Sequence, residues 1–212
     1  MVIRLAQDDV NWLNKKYPKL KFYEEKEVIQ GELYFNREYK GIAIEDSYFL
    51  EIKLQSKKNS ILPQVKEAGG KVKKISEELL KPLIDLHINQ QDGTLCLCIH
   101  KKEKEYFPNG FKIDIFFEQI LEPGLYWISY TYKYKVPPWE EYAHGNLGYL
   151  ELYAEDDMDL EELREYIPEE KLRAIKKLKG HRKCLCESGK NLRDCHKLIY
   201  NAIYKLKNEF HG

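Results

Sequence analysis

Two short stretches of this 212-residue chain place chemically capable residues at close spacing. The first, His87 to Cys98, reads HINQQDGTLCLC. Asp92-Gly93 is a turn signal, and Thr94 to Ile99 beyond it is a short β-prone run. If that run is extended, Cys96 and Cys98 point to one face and Leu95, Leu97 and Ile99 to the other. His87 and Asn89 precede the turn, two residues apart. A polar loop bearing His and Asn, folded back beside a cysteine, suits acyl transfer. The thiolate attacks, and a nearby amide or imidazole holds the oxyanion or moves the proton. Spacing from Gly93 favours Cys96 as nucleophile and leaves Cys98 open. Cysteine is also among the most buried residue types, and two cysteines on one strand face are most often core.

The second stretch is Cys184 to His196, with Cys184, Cys186, Cys195 and His196 in a C-x-C-x8-C-H pattern. Four such ligands fill a tetrahedral Zn²⁺ site and leave no open position, which makes the expected metal structural. A module this small needs a staple of that kind to fold. Ser188-Gly189 supplies the turn between the ligand pairs. His181 and His211 are less well spaced and are not expected as ligands. Ile199, Ile203, Leu206 and Phe210 continue the tail as an amphipathic helix.

The elements that must position these residues follow from periodicity. Ala6 to Tyr17 has Val10, Leu13 and Tyr17 at helical spacing, with Pro18 as a stop. Val28 to Asn36 alternates as a strand, Ile42 and Ile44 suggest a second short one, and Tyr48 to Gln55 is the clearest. Short connections imply an antiparallel meander. Lys57 to Ser60 reads as a loop. Glu77 to Leu86 fits a helical stripe interrupted by Pro82, and Ile113, Phe116, Phe117, Ile120 and Leu121 form a helical face that Pro123-Gly124 breaks or kinks. Leu125 to Lys135 fits either a strand or a helix. Glu155 to Glu170 holds nine acids, and Lys171 to Lys183 holds seven lysines and arginines. Acids leading and bases trailing suit a solvated helical linker.

The first stretch resembles the active-site segment of ubiquitin-conjugating (E2) enzymes. That family carries a His-Pro-Asn triplet and, a few residues later, Gly-x-Ile/Val-Cys-Leu. Here His87-Ile88-Asn89 and Gly93-Thr94-Leu95-Cys96-Leu97 stand at those places. Ile88 replaces the proline, and the gap from His to Gly is one residue shorter. The order of helix, meander, active loop and trailing helices is similar to the E2 (UBC) fold. Trp139 to Tyr153 is similar to bacterial E2-like proteins of CBASS-type antiviral operons, which have an aromatic helix, a Pro/Trp break and a His-Gly-x-x-Gly loop, here His144-Gly145 to Gly148. This resemblance implies that His144 approaches Cys96, lowering the thiol pKa or taking a proton from an incoming amine. The tail resembles the SEC-C zinc motif of the SecA translocase. It retains Ser188-Gly189-Lys190, with Leu185 and Glu187 in place of that motif's proline and first glycine.

The expected architecture is therefore α+β, a UBC-like antiparallel meander with flanking helices plus a small C-terminal zinc knuckle. The expected domains are 1–153, a charged linker over 154–180, and a zinc module over 181–212. The resemblance implies a transferase. Cys96, assisted by His87, Asn89 and His144, would form a thioester with the C-terminus of a ubiquitin-like protein or a cGAS-like nucleotidyltransferase. It would pass that group to an amine. A second reading is a non-catalytic zinc adaptor that contacts protein or nucleic acid through the basic run before the knuckle. A third is a Cys96–His144 hydrolase.

Composition sets outer limits. Lys and Arg number 35 against 35 Asp and Glu, so overall charge gives no support to nucleic acid as a general partner. Hydrophobic residues make up 43%, enough for a sizeable core, and no long apolar run or signal-like N-terminal block is present. A cytoplasmic location is expected. Five cysteines without a disulfide framework read, in a reducing compartment, as ligands or reactive thiols. Oligomeric state is open, with the aromatic surface compatible with a dimer.

Overall fold

A computed structural model describes residues 2–58, 60–143, 145–184 and 189–209. The chain divides into two compact units, Met1–Trp139 and Glu140–Gly212. The division falls at 139/140, ahead of the expected boundaries at 153/154 and 180/181.

The first unit opens with α1 (Gln7–Lys16), where the Asp9 carboxylate accepts from the Ala6 N–H at 2.8 Å and closes the first turn. Four strands follow: β1 (Leu20–Tyr23), β2 (Val28–Tyr39), β3 (Ile42–Ser56) and β4 (Pro63–Glu67). They form one antiparallel sheet in the order β1-β2-β3-β4. β1 was not foreseen, because four residues are too few to show a period. The two strands expected over 42–55 are one. Ile44, Tyr48, Leu50, Ile52 and Leu54 share one parity and are all buried, and Asp46 continues that face. Lys40 and Gly41 both have positive φ and join β2 to β3 in a two-residue turn, the geometry that matches strand twist.

After the sheet come α2 (Lys71–Leu79), a 3-10 turn at Leu83–Leu86, and α3 (His100–Tyr106). The helix expected over Glu77 to Leu86 in fact starts at Lys71 and ends before Pro82. Pro82 has no N–H to continue it, and Leu80, placed in the expected apolar stripe, is 93% exposed. α4 (Ile113–Ile115), a π-helical stretch (Phe116–Leu121) and α5 (Glu122–Tyr134) form one continuous helical run. Leu125 to Lys135 is thus helical through Tyr134, and Pro123 does not break the run.

The reason is local. The Glu122 N–H bonds back to Phe117 O in the π pattern, and the next residue is a proline without an N–H, so the Glu118 carbonyl has no partner within the helix. The Arg37 guanidinium, from β2, donates to it at 2.8 Å. α5 lies on the buried face of the sheet. Its Tyr126 hydroxyl donates to Ile42 O (2.9 Å), and Ser129 links Tyr48 and Asp46, at 2.7 Å to each.

The second unit contains α6 (Asn146–Ala154), α7 (Leu160–Tyr166), α8 (Glu169–Ile175), α9 (Leu192–Cys195) and α10 (Lys197–Glu209). α6 packs on α10, which is why 140–153 belongs with the tail. Ile199, Ala202, Ile203 and Leu206 form the buried stripe of α10, as the periodicity predicts; Phe210 lies outside the described residues. Among the described residues no helix is long and apolar enough to cross a membrane.

Candidate functional site

The loop that carries Cys96 is a tight reversal hung from the edge of the sheet. The 3-10 turn ends at His87, whose φ of 61° swings the chain around. The Cys96 N–H donates to His87 O (2.7 Å), Asn89 N–H to Thr94 O (2.8 Å), and Gly93 N–H to Asn89 O (2.8 Å). On the returning arm, the Leu95 N–H donates to Val65 O of β4 at 2.7 Å. Only Ile88 and Leu95 pair as in a sheet. The run from Thr94 to Ile99 is therefore not a strand, and Cys96 and Cys98 do not share a strand face. Pairing stops because the chain leaves β4 after Leu95 and Ile99 already caps α3.

α5 fixes the loop from behind. The His87 ring meets Trp127 edge to face, with centroids 4.5 Å apart. A Cβ at Gly124 would lie 2.8 Å from Leu97 Cδ2, so the glycine makes the space that the leucine beside Cys96 occupies. The turn before Cys96 is held by a set of polar contacts. Asp92 accepts from the Thr94 N–H (3.0 Å) and hydroxyl (2.6 Å), and the Asn89 amide donates to Thr94 Oγ1 at 3.0 Å. Lys57, just past β3, reaches Thr94 Oγ1 at 2.9 Å and pairs with Asp92 Oδ2 at 2.6 Å. Hydrogen bonds from Lys57 and then Thr94 hold the Asp92 carboxyl well below the usual carboxylate range.

The two cysteines differ. Both are half-buried and neither is in a disulfide. Burial, then the negative charge of Glu103, pushes the Cys98 thiol up to about 12. Glu103 is itself buried and accepts from the Ser60 hydroxyl (2.9 and 3.0 Å) and the Ile61 N–H (2.6 Å). Neither Lys57 nor Glu103 was legible as part of this region. Lys57 precedes the loop by some 35 residues, and no local pattern marks a contact of that separation. His144 lies outside the described residues.

In the second unit the Cys184 Sγ, Cys195 Sγ and a ring nitrogen of His196 lie within 4.8 Å of one another and could hold a metal ion. Cys184 Sγ and His196 Nδ1 are 3.2 Å apart. A short antiparallel ribbon brings them together. Lys183 pairs with Asn191, the Cys184 N–H donates to Lys190 O (2.9 Å), and the Leu192 N–H donates to Arg182 O (2.8 Å). Cys186, the fourth expected ligand, lies outside the described residues. Two soft sulfurs and an imidazole converging without a disulfide fit a borderline-soft divalent ion better than a hard one. His181 is not part of the group.

No family model, curated protein or solved structure matches the chain.

Proposed function

We propose that the chain is an E2-like thioester carrier in which Cys96 accepts an acyl group. The observation that carries this reading is the loop itself. A half-buried cysteine leaves a rigid polar reversal, its own N–H bonded to the carbonyl of a histidine, behind an antiparallel meander and in front of a long helix. The resemblance to the E2 active segment supplies the chemistry, and the burial of the Cys98 thiol favours its neighbour.

In the first step the Cys96 thiolate attacks an acyl carbonyl, the C–S bond forms and the donor's leaving group departs. In the second an amine attacks the thioester, the thiolate leaves and the amine proton goes to base. The expected donor is the C-terminus of a ubiquitin-like protein or of a cGAS-like nucleotidyltransferase, in bacterial antiviral defence. Asn89, whose amide donates to Thr94 Oγ1, is proposed to support the oxyanion. The backbone at His87 positions Cys96. His144 is proposed to manage the proton. Cys184, Cys186, Cys195 and His196 would hold a structural Zn²⁺ that closes the C-terminal ribbon and takes no part in the transfer.

Intact-mass measurement of the protein from its own host tests this reading, with and without thiol reductant, beside Cys96→Ala and Cys98→Ala. A reductant-labile adduct lost only in Cys96→Ala is expected, and its mass identifies the donor. The absence of any adduct, with both thiols slow toward alkylating reagents, would overturn the proposal.

A further inference from the structure

The neutral total hides a strongly segregated surface. Residues 177–200 carry seven lysines and arginines against only Glu187 and Asp194. The fold gathers these cations rather than spreading them along a helix. The Arg193 N–H donates to Gly180 O at 3.2 Å, and Lys207 Nζ donates to Leu178 O at 3.0 Å, so the 177–183 turn lies against the ribbon's second arm and against α10. A Cβ on Gly180 would come within 3.0 Å of the Tyr200 ring and 3.2 Å of Arg193 Cβ. Lys177, Lys179, Arg182, Lys183, Arg193 and Lys197 are all exposed.

Beside them stand aromatic rings that the core does not use. Tyr200 and Tyr204 lie one turn apart on α10, opposite its buried stripe, and are 36% and 64% exposed. Clustered cations alone would suit any polyanion. Cations interleaved with solvent-facing rings suit one whose anionic backbone carries flat groups free to stack. An acidic protein surface does not carry a regular series of flat groups along its anions, and a duplex keeps its bases paired and stacked.

We propose that the second unit binds single-stranded nucleic acid, with the 177–183 turn, Arg193 and Lys197 on the phosphates and Tyr200 and Tyr204 stacking on bases. The inference is independent of the thioester reading and leaves Cys96 untouched.

The test is fluorescence anisotropy of the full metal-loaded chain with a labelled 20-nucleotide RNA, its DNA counterpart and the matching duplex, from 50 to 200 mM salt. Log affinity is expected to fall linearly with log salt, with a slope of about −4 for six phosphate contacts. The triple variant K177E/K179E/R182E should bind at least about tenfold more weakly and with a flatter slope. Tyr204→Ala should lose about fivefold or more without changing the slope, and its exposed side chain makes it a variant that folds even where the triple does not. No binding at 50 mM salt overturns the proposal. So does equal binding of the duplex with no loss in Tyr204→Ala. Displacement by polyglutamate as effective as by RNA, again with Tyr204→Ala unchanged, assigns the surface to an acidic protein instead.

Discussion

Cys96 and Cys98 are separated by one leucine, yet their surroundings divide their chemistry. Cys98 is held protonated by burial and by Glu103, with its pKa pushed up to about 12. At pH 8 only about one part in ten thousand of it is thiolate, the form that reacts. Iodoacetamide should therefore label Cys96 first, and the Cys98 rate should climb about tenfold per pH unit toward 12, read by peptide mass mapping. The linkage has one sign. Folding favours the neutral thiol, so this contribution is full below the ordinary thiol range and is lost as pH rises from there toward 12. Asp92 works the other way. Its carboxyl is depressed by Lys57 and Thr94, so the turn it holds is stabilised above the ordinary carboxylate range and loosens as pH falls through the folded value. Asp92→Asn should reduce the protection factor of the Thr94 amide near neutral pH and remove most of its dependence on acid.

At the scale of elements, two positions hold the frame behind the loop. Arg37 satisfies the Glu118 carbonyl that the π stretch and Pro123 leave without a helical partner, and also pairs with Glu122 at 3.4 Å. Arg37→Met should cost about 1–3 kcal/mol in urea unfolding, because it strands a part-buried acceptor. The cost should shrink in the Pro123→Ala background, where residue 123 regains an N–H. Gly31 is the second position. Its φ is 144°, and a Cβ there would lie 2.1 Å from Lys19 O, across the β1–β2 pair. Gly31→Ala should destabilise the first unit by about 3 kcal/mol and move β1 away from β2, visible as faster amide exchange in residues 20–23.

For the whole molecule, the division at 139/140 makes the metal group a property of the second unit alone. Purified protein should carry about one zinc per chain, and Cys195→Ser should lose it. Chelation should raise hydrogen exchange over 180–197 and α10 while leaving the β2–β3 pair protected, since ligand binding free energy is folding free energy only where the ligands are. Loss of protection across both units on chelation would contradict this division. The same division explains why a zero net charge was a poor guide to surface character. Charge summed over both units says nothing about where seven cations are gathered.

The sequence by itself determined what short-range pattern can encode. Period-two burial marked the inner face of β2 and β3, and 3–4-residue spacing marked α1 and the stripe of α10. The spacing of Cys184, Cys195 and His196 was enough to anticipate their convergence, because a ribbon a few residues long needs no distant partner. Tertiary structure alone decided the rest. Leu125 to Tyr134 fits both periods, and only burial against the sheet selects the helix. Pro123 stays inside a helical run because a guanidinium from another element satisfies the carbonyl left over. Lys57 joins the Cys96 loop because β3 ends beside it, and 140–153 joins the tail because α6 packs on α10. Each of these outcomes rests on a contact between residues far apart in the chain, and local spacing carries no record of such a contact.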